Sequence, residues 1–185
     1  SLAALGATLL AAGCAGRRAS AVPPPPRNAI FSGAGERLSW GDAIERAAAA
    51  DFVVLGENHD DARAHALQLA FVEELAARDL PLGLSLEMLE RHEQPILDAW
   101  QSGETPTEAF VEETNSADWA GEGSWAVWYQ PILDAARAAG APIVAANAPR
   151  QYVRMAWREG PAALDALPAE ERALFDMPAS EAHGA

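Results

Sequence analysis

The chain has 185 residues, 50% of them hydrophobic, with 13 basic against 27 acidic side chains and a formal charge of -14. That length suits one domain with one core rather than two, and the negative charge repels nucleic-acid backbones and anionic lipid surfaces, which argues against nucleic-acid binding. With Cys14 the single cysteine, neither disulfide staples nor a cysteine-built metal site is available, so any metal falls to His, carboxylate, Tyr or a cofactor ring.

Residues 1–14 form an apolar stretch of small residues and leucine, too short to span a bilayer, that ends at Cys14. The stretch resembles a bacterial lipoprotein signal and lipobox, although Leu10 stands four residues before the cysteine where three is usual. No initiating Met or basic segment precedes Ser1, so the first few residues are expected to be missing. Cleavage before Cys14 and acylation of its thiol imply an anchored protein. Ala15, rather than Asp, after the cysteine favours the outer membrane, with the protein facing the periplasm. Residues 15–36 carry Arg17, Arg18 and the run Pro23 to Pro26, an extended tether that cannot pack as helix or sheet.

From residue 37 onward helix and strand signals alternate. Ser39 and Asp42 have capping-box spacing at the head of an Ala-rich helix over 40–50. Phe52 to Leu55 reads as a first strand, apolar on both faces like a central parallel strand. Asp60 or Asp61 caps the next helix, whose Leu67, Phe71 and Leu75 are expected to face the sheet. A second strand, LGLSL, ends at Leu86 and delivers Glu87. A helix with Ile96, Leu97 and Trp100 as its apolar stripe follows. Thr105, Pro106 and Glu108 then announce a short helix over 106–113. After Gly121 and Gly123 comes a helix with Trp125, Trp128, Ile132 and Ala136 as neighbours, which Pro131 either bends or opens. Pro142 to Ala146 is the third strand, Asn147 stands at its end, and a helix over 150–158 closes the readable pattern. The predicted class is α/β, a three-layer-like domain over 37–185 with a mostly parallel sheet flanked by helices.

In such folds ligands collect outside the carboxyl ends of the strands. The expected strand ends present Glu57 with His59, Glu87, and Asn147. Glu57 and His59 are two residues apart, so in an extended chain they point the same way. His65 either rejoins that site or looks elsewhere. A buried Glu87 would need a partner, for which His59 is the candidate. Gln68 and Gln94 are read as helix fasteners, Asp98 and Arg150 as members of a polar network, His92 as a solvated residue, and His183 as part of a frayed tail.

Five ordered segments, GENHDD (Gly56 to Asp61) with His65 and Gln68, SLEML (Ser85 to Leu89), EQPILDAW (Glu93 to Trp100), WYQPILDAAR (Trp128 to Arg137) and IVAANAPR (Ile143 to Arg150), resemble the ChaN-like haem-binding lipoproteins of bacterial iron uptake. The resemblance implies an α/β domain that binds haem, can dimerise around paired haems, uses tyrosine as an iron ligand in at least one relative, and exchanges haem with an uptake receptor. It also implies distant kinship with erythromycin-esterase-like and Tiki-type proteins. A late strand ending in a Gly-x-His-like motif, which the family leads one to expect, is absent, so the domain is expected to be cut short at its C-terminus.

Haem requires an apolar slot, an axial donor and a place for its propionates. Trp119, Trp125, Trp128 and Tyr129 are candidates for the slot. Tyr129, Tyr152 or His59 is the candidate iron ligand, with His65 near the cofactor and Arg91 or Arg150 meeting propionates. The competing reading is a hydrolase in which Glu57, His59 and Glu87 hold a divalent metal, or in which His59 acts as general base with Asn147 polarising a carbonyl. No GxSxG elbow, Walker loop or HExxH motif is present to support the better-known enzyme routes. A non-enzymatic haem binder is the preferred reading.

Overall fold

A computed structural model describes residues 29–78 and 80–175, so the signal segment with Cys14, the polyproline run and His183 lie outside the described residues. The order of elements is β1 (Ile30–Phe31), β2 (Arg37–Leu38), α1 (Trp40–Ala48), α2 (Ala62–Ala76), β3 (Leu84–Glu90), α3 (Gln94–Ser102), α4 (Thr107–Glu113), α5 (Gln130–Ala138), β4 (Ile143–Asn147), α6 (Arg150–Glu159) and α7 (Ala169–Arg172). β1 and β2 form a short antiparallel pair, while β3 and β4 run parallel with helices packed around them, as an α/β fold requires. Among the described residues no helix is long and apolar enough to cross a membrane.

The local signals explain where helices begin. Ser39 Oγ accepts from the Asp42 amide while Asp42 accepts from the Ser39 amide, so both halves of the expected capping box are made. Asp61, rather than Asp60, caps α2 by accepting from the Arg63 amide. Pro131 lies in the first turn of α5, where its missing N–H costs nothing, and is preceded by a wide π-helical turn over Trp125–Tyr129. α3 ends at Gly103, whose φ of 89° is the left-handed conformation that glycine adopts freely. Arg137 from α5 reaches that end, donating to the Gln101 carbonyl at 3.1 Å and lying 4.8 Å above the Trp100 ring.

Four expectations require correction. Phe52 to Leu55 is not a strand: no neighbouring chain pairs with it among the described residues, and Phe52 and Val54 are 91% and 92% exposed. Its uniform apolarity describes a strand only where a ladder exists on either side. The buried residues of α2 are His65, Ala70 and Val72, with half-buried Leu69 packed against the core; Leu67 and Leu75 are half-buried, and Phe71 packs edge-on against Trp40 of α1 at 4.8 Å. β3 runs on past Leu86 to Glu90, so Glu87 lies within the strand, and it is exposed rather than buried. Thr105 is not a cap; α4 starts one residue later than expected, after Pro106, and Thr107 instead accepts from the Trp100 indole at 3.0 Å.

Leu84, Ser85 and Leu86 pair with Ile143, Val144 and Ala145, and the ladder resumes only at Glu90 with Asn147. β3 thus carries two residues more than β4 in that interval; regular alternation after buried Leu86 turns Glu87 out, and the bulge lets Leu89, three residues after Leu86, return to the core. The core joins Leu86, Leu89, Leu97, Trp100, Phe110 and Leu133, drawn from both strand and helix layers. Each such side chain contributes about 1.5–3 kcal/mol on burial.

The outer edge of β4 is closed by side chains. Gln94 donates to the Ile143 carbonyl at 3.0 Å and accepts from the Ala145 amide at 2.7 Å, while Gln101, two helical turns along α3, donates to the Ala141 carbonyl at 2.7 Å and accepts from the Ile143 amide at 3.2 Å. The two amides behave as isolated peptide units of an absent neighbouring strand, which is how the expected fastening by Gln94 is achieved. Asp98 accepts from Gln94 at 2.7 Å and orients it. Replacing Gln94 with Leu leaves a strand carbonyl and amide without partners and should cost about 1–3 kcal/mol. Urea unfolding checks this; Gln94→Leu with Gln101→Leu should lower the midpoint further than either alone.

Candidate functional site

The site grows from one carboxylate. An extended segment carries Glu57 to the head of α2, and the Asp61 amide closes the intervening turn on the Asn58 carbonyl at 2.9 Å. The period-two expectation is met: His59 Nδ1 lies 2.9 Å from Glu57 Oε1. Gln68 donates to Glu57 Oε2 at 2.7 Å from α2, and the Tyr129 hydroxyl donates to Oε1 at 2.9 Å from the end of the wide helical turn. Only 7% of the Glu57 side chain is exposed. Burial pushes its pKa upward, but the hydrogen bonds from His59, Gln68 and Tyr129 outweigh that and hold the carboxyl below the ordinary glutamate range.

His65 rejoins the site as a support. Its Nε2 must donate to the His59 carbonyl, 3.0 Å away, because a carbonyl oxygen only accepts. Its Nδ1 lies 3.2 Å from Glu57 Oε2 without hydrogen-bond geometry. The ring is buried, stacked on Trp128 at 4.9 Å and 9° and meeting Tyr129 edge-on. His59 is therefore fixed twice, through its backbone by His65 and through its ring by Glu57.

An ionised carboxylate has no proton to give, so His59 donates from Nδ1, and in the neutral form of the ring the lone pair is on Nε2. Among the described residues Nε2 makes no hydrogen bond, and 52% of the side chain is exposed. Trp119 stands against this ring edge-on at 4.6 Å and meets Tyr129 at 5.6 Å. The Arg150 guanidinium lies 5.8 Å from the Trp119 ring centre, with Nε 3.7 Å from Glu90. An exposed imidazole, an indole wall and a cation thus follow one another across the surface.

Trp119 is held by its loop. The Gly123 amide donates to Asp118, the Ala120 amide donates to Ser124 Oγ, and the Trp125 amide closes on the Ala117 carbonyl. Trp119 and Trp128 are half-buried, whereas Trp125 and Tyr129 are sealed in the core, with the Trp125 indole donating to Gln130. Burial first, then the hydrogen bond and charge of Glu57 and the charge of Glu87, push the Tyr129 phenol well above its ordinary pKa.

The remaining candidates separate from this cluster. Tyr152 on α6 donates to Glu171 at 2.6 Å and packs on Phe175, on the side of the C-terminal helices. Glu87 makes no hydrogen bond to His59, whose carboxylate partner is Glu57; it faces outward next to buried Leu86, while its charge still acts on the Tyr129 hydroxyl. Arg91 donates to the Ala146 carbonyl at 3.3 Å, beside the end of β4 where Asn147 sits. His92 is half exposed and 3.5 Å from Glu90. Among the described residues no three His, Cys, Asp or Glu side chains converge as a metal site. A depression of about 640 Å³ lies at the opposite ends of the strands around Leu82 and Pro142, where the titratable residue is Arg78, paired with Glu45. Gln68, read from sequence as a fastener, ties α2 to Glu57 through its hydrogen bond; its spacing of three from His65 puts both on one face of α2.

Residues 43–184 match the family model described as haem-binding uptake, Tiki superfamily, ChaN. The chain belongs to that family. No curated protein and no solved structure matches it. The Glu57 cluster and the Trp119–Arg150 surface both fall inside the ChaN match.

A glutamate with a lowered folded-state pKa contributes stability that is complete above its unfolded pKa and lost as pH falls through its folded value. Glu57→Gln should therefore unfold more easily than the parent at neutral pH, with the difference narrowing below about pH 4. Urea midpoints measured at a series of pH values check the sign.

Proposed function

We propose that this protein binds ferric haem against Trp119, with His59 Nε2 as the axial donor and Arg150 facing a propionate, and serves haem or iron uptake as a Cys14-anchored lipoprotein at the periplasmic face of the outer membrane. The observation that carries the reading is the half-exposed His59 ring, whose Nδ1 is taken by Glu57 and whose Nε2 is left for a ligand. The donor set suits the group: an imidazole nitrogen for iron, an indole for the porphyrin face and an arginine for carboxylates. When bound, haem supplies an iron centre that accepts such a nitrogen donor. Within the protein, His65 and Glu57 orient the ring and the 114–124 loop holds the aromatic wall. Tyr129 is the weaker candidate ligand, since its hydroxyl is buried and committed to Glu57. Pairing of two copies around paired haems, and exchange with an uptake receptor, belong to the same proposal.

The Glu57–His59 pair also has the form of a general-base dyad, which supports a hydrolytic second reading. Titration of the full chain with ferric haem distinguishes them. The expected result is a saturable histidine-type spectrum, weakened at least about 10-fold by His59→Ala and a few-fold by Arg150→Ala. A tyrosinate-type spectrum lost in Tyr129→Phe or Tyr152→Phe would overturn the choice of His59. Unsaturable absorption would reject haem binding and move the dyad to hydrolase assays.

A further inference from the structure

Resting on the haem reading, we infer that Glu57 is a positioning residue that sets how strongly His59 donates to iron, and that Tyr129 moderates Glu57 by competing for the same oxygen. Both His59 Nδ1 and the Tyr129 hydroxyl lie 2.9 Å from Glu57 Oε1, while Gln68 occupies Oε2. A ligating histidine whose second N–H is given to a carboxylate acquires imidazolate character, binds ferric iron more firmly and stabilises it over ferrous iron. The strength of that effect depends on how much negative charge the acceptor oxygen retains. Every donor that shares Oε1 withdraws some of it.

The geometry therefore assigns opposite signs to two neighbouring substitutions. Glu57→Gln replaces the carboxylate with a neutral amide and weakens the pull on Nδ1–H. Tyr129→Phe removes the competing hydroxyl at nearly constant volume and leaves Oε1 to His59 alone. Tyr129 is buried and Glu57 nearly so, so water has little access to replace the lost phenol. A purely structural role would loosen His59 in both variants and move every readout the same way.

The experiment uses the full chain loaded with ferric haem, reading the reduction midpoint and, in the ferrous state, the iron–histidine stretching frequency. Glu57→Gln should raise the midpoint, lower the stretching frequency and weaken ferric haem about 10-fold or more. Tyr129→Phe should shift midpoint and frequency in the opposite directions, and Glu57→Asp should fall between parent and Glu57→Gln. If the parent spectrum depends on His59 but the two variants shift together, or neither shifts, the inference is overturned and the haem reading stands. If the parent shows no His59-dependent haem spectrum, the haem reading itself fails and the inference falls with it. Should Glu57→Gln not fold, the sign of the Tyr129→Phe shift alone decides the matter.

Discussion

Everything at this site depends on keeping one ionised carboxylate out of water. An unpaired buried carboxylate is expensive enough to neutralise itself or unfold its surroundings. Glu57 escapes because donors arrive from three parts of the chain: His59 from its own segment, Gln68 from α2 and Tyr129 from the turn before α5. The requirement runs in both directions. The donors keep the charge in place, and the charge aligns the donors, so α2 and α5 are brought into register at the point where they pack. His59 is the one member of the set with a half-exposed side chain, and it acquires its orientation from partners a ligand does not need to touch.

A second constraint acts at the other side of the sheet. β4 has β3 on one edge, and its free edge would present a row of unpaired peptide groups. α3 covers that edge with Gln94 and Gln101, whose side-chain amides reproduce the donor and acceptor of a peptide. The sheet can therefore remain narrow while its last strand stays saturated. Trp119 of the 114–124 loop and Arg150 at the start of α6 meet across the surface.

Much of this was legible in the residue order. Capping at Ser39, the apolar stripe of α3 and the shared direction of Glu57 and His59 follow from local spacing, which depends only on neighbouring residues. Gly56 to Asp61, with His65 and Gln68, and the four segments after it were enough to point to the family that the match over 43–184 establishes. The failures were non-local. Phe52 to Leu55 has a strand's composition but no pairing partner among the described residues, and pairing is a property of two segments. Glu87 stands at the end of the LGLSL pattern yet lies within β3, because the continuation of that strand to Glu90 depends on its register against β4. Tyr129 reads in the sequence as a candidate donor to iron, and tertiary contact adds that its hydroxyl donates to Glu57. Gln68 fastens α2 as expected, and its target, Glu57, emerges only in three dimensions.

The wide turn over Trp125–Tyr129 has a consequence for how this segment tolerates insertion and deletion. A π turn accommodates one residue more than the α-helical repeat, and each residue of an α-helix advances the direction of its side chain by about 100°. Loss of one residue here would let the segment relax into regular helix and rotate everything before the deletion relative to α5. Trp125 would swing away from the core and carry the loop that holds Trp119 with it, while Tyr129 and α5 kept their places. Length in this stretch is thus under tighter constraint than composition: a conservative exchange can be absorbed locally, but a single-residue gap displaces the aromatic wall from beside a His59 ring that stays where it was.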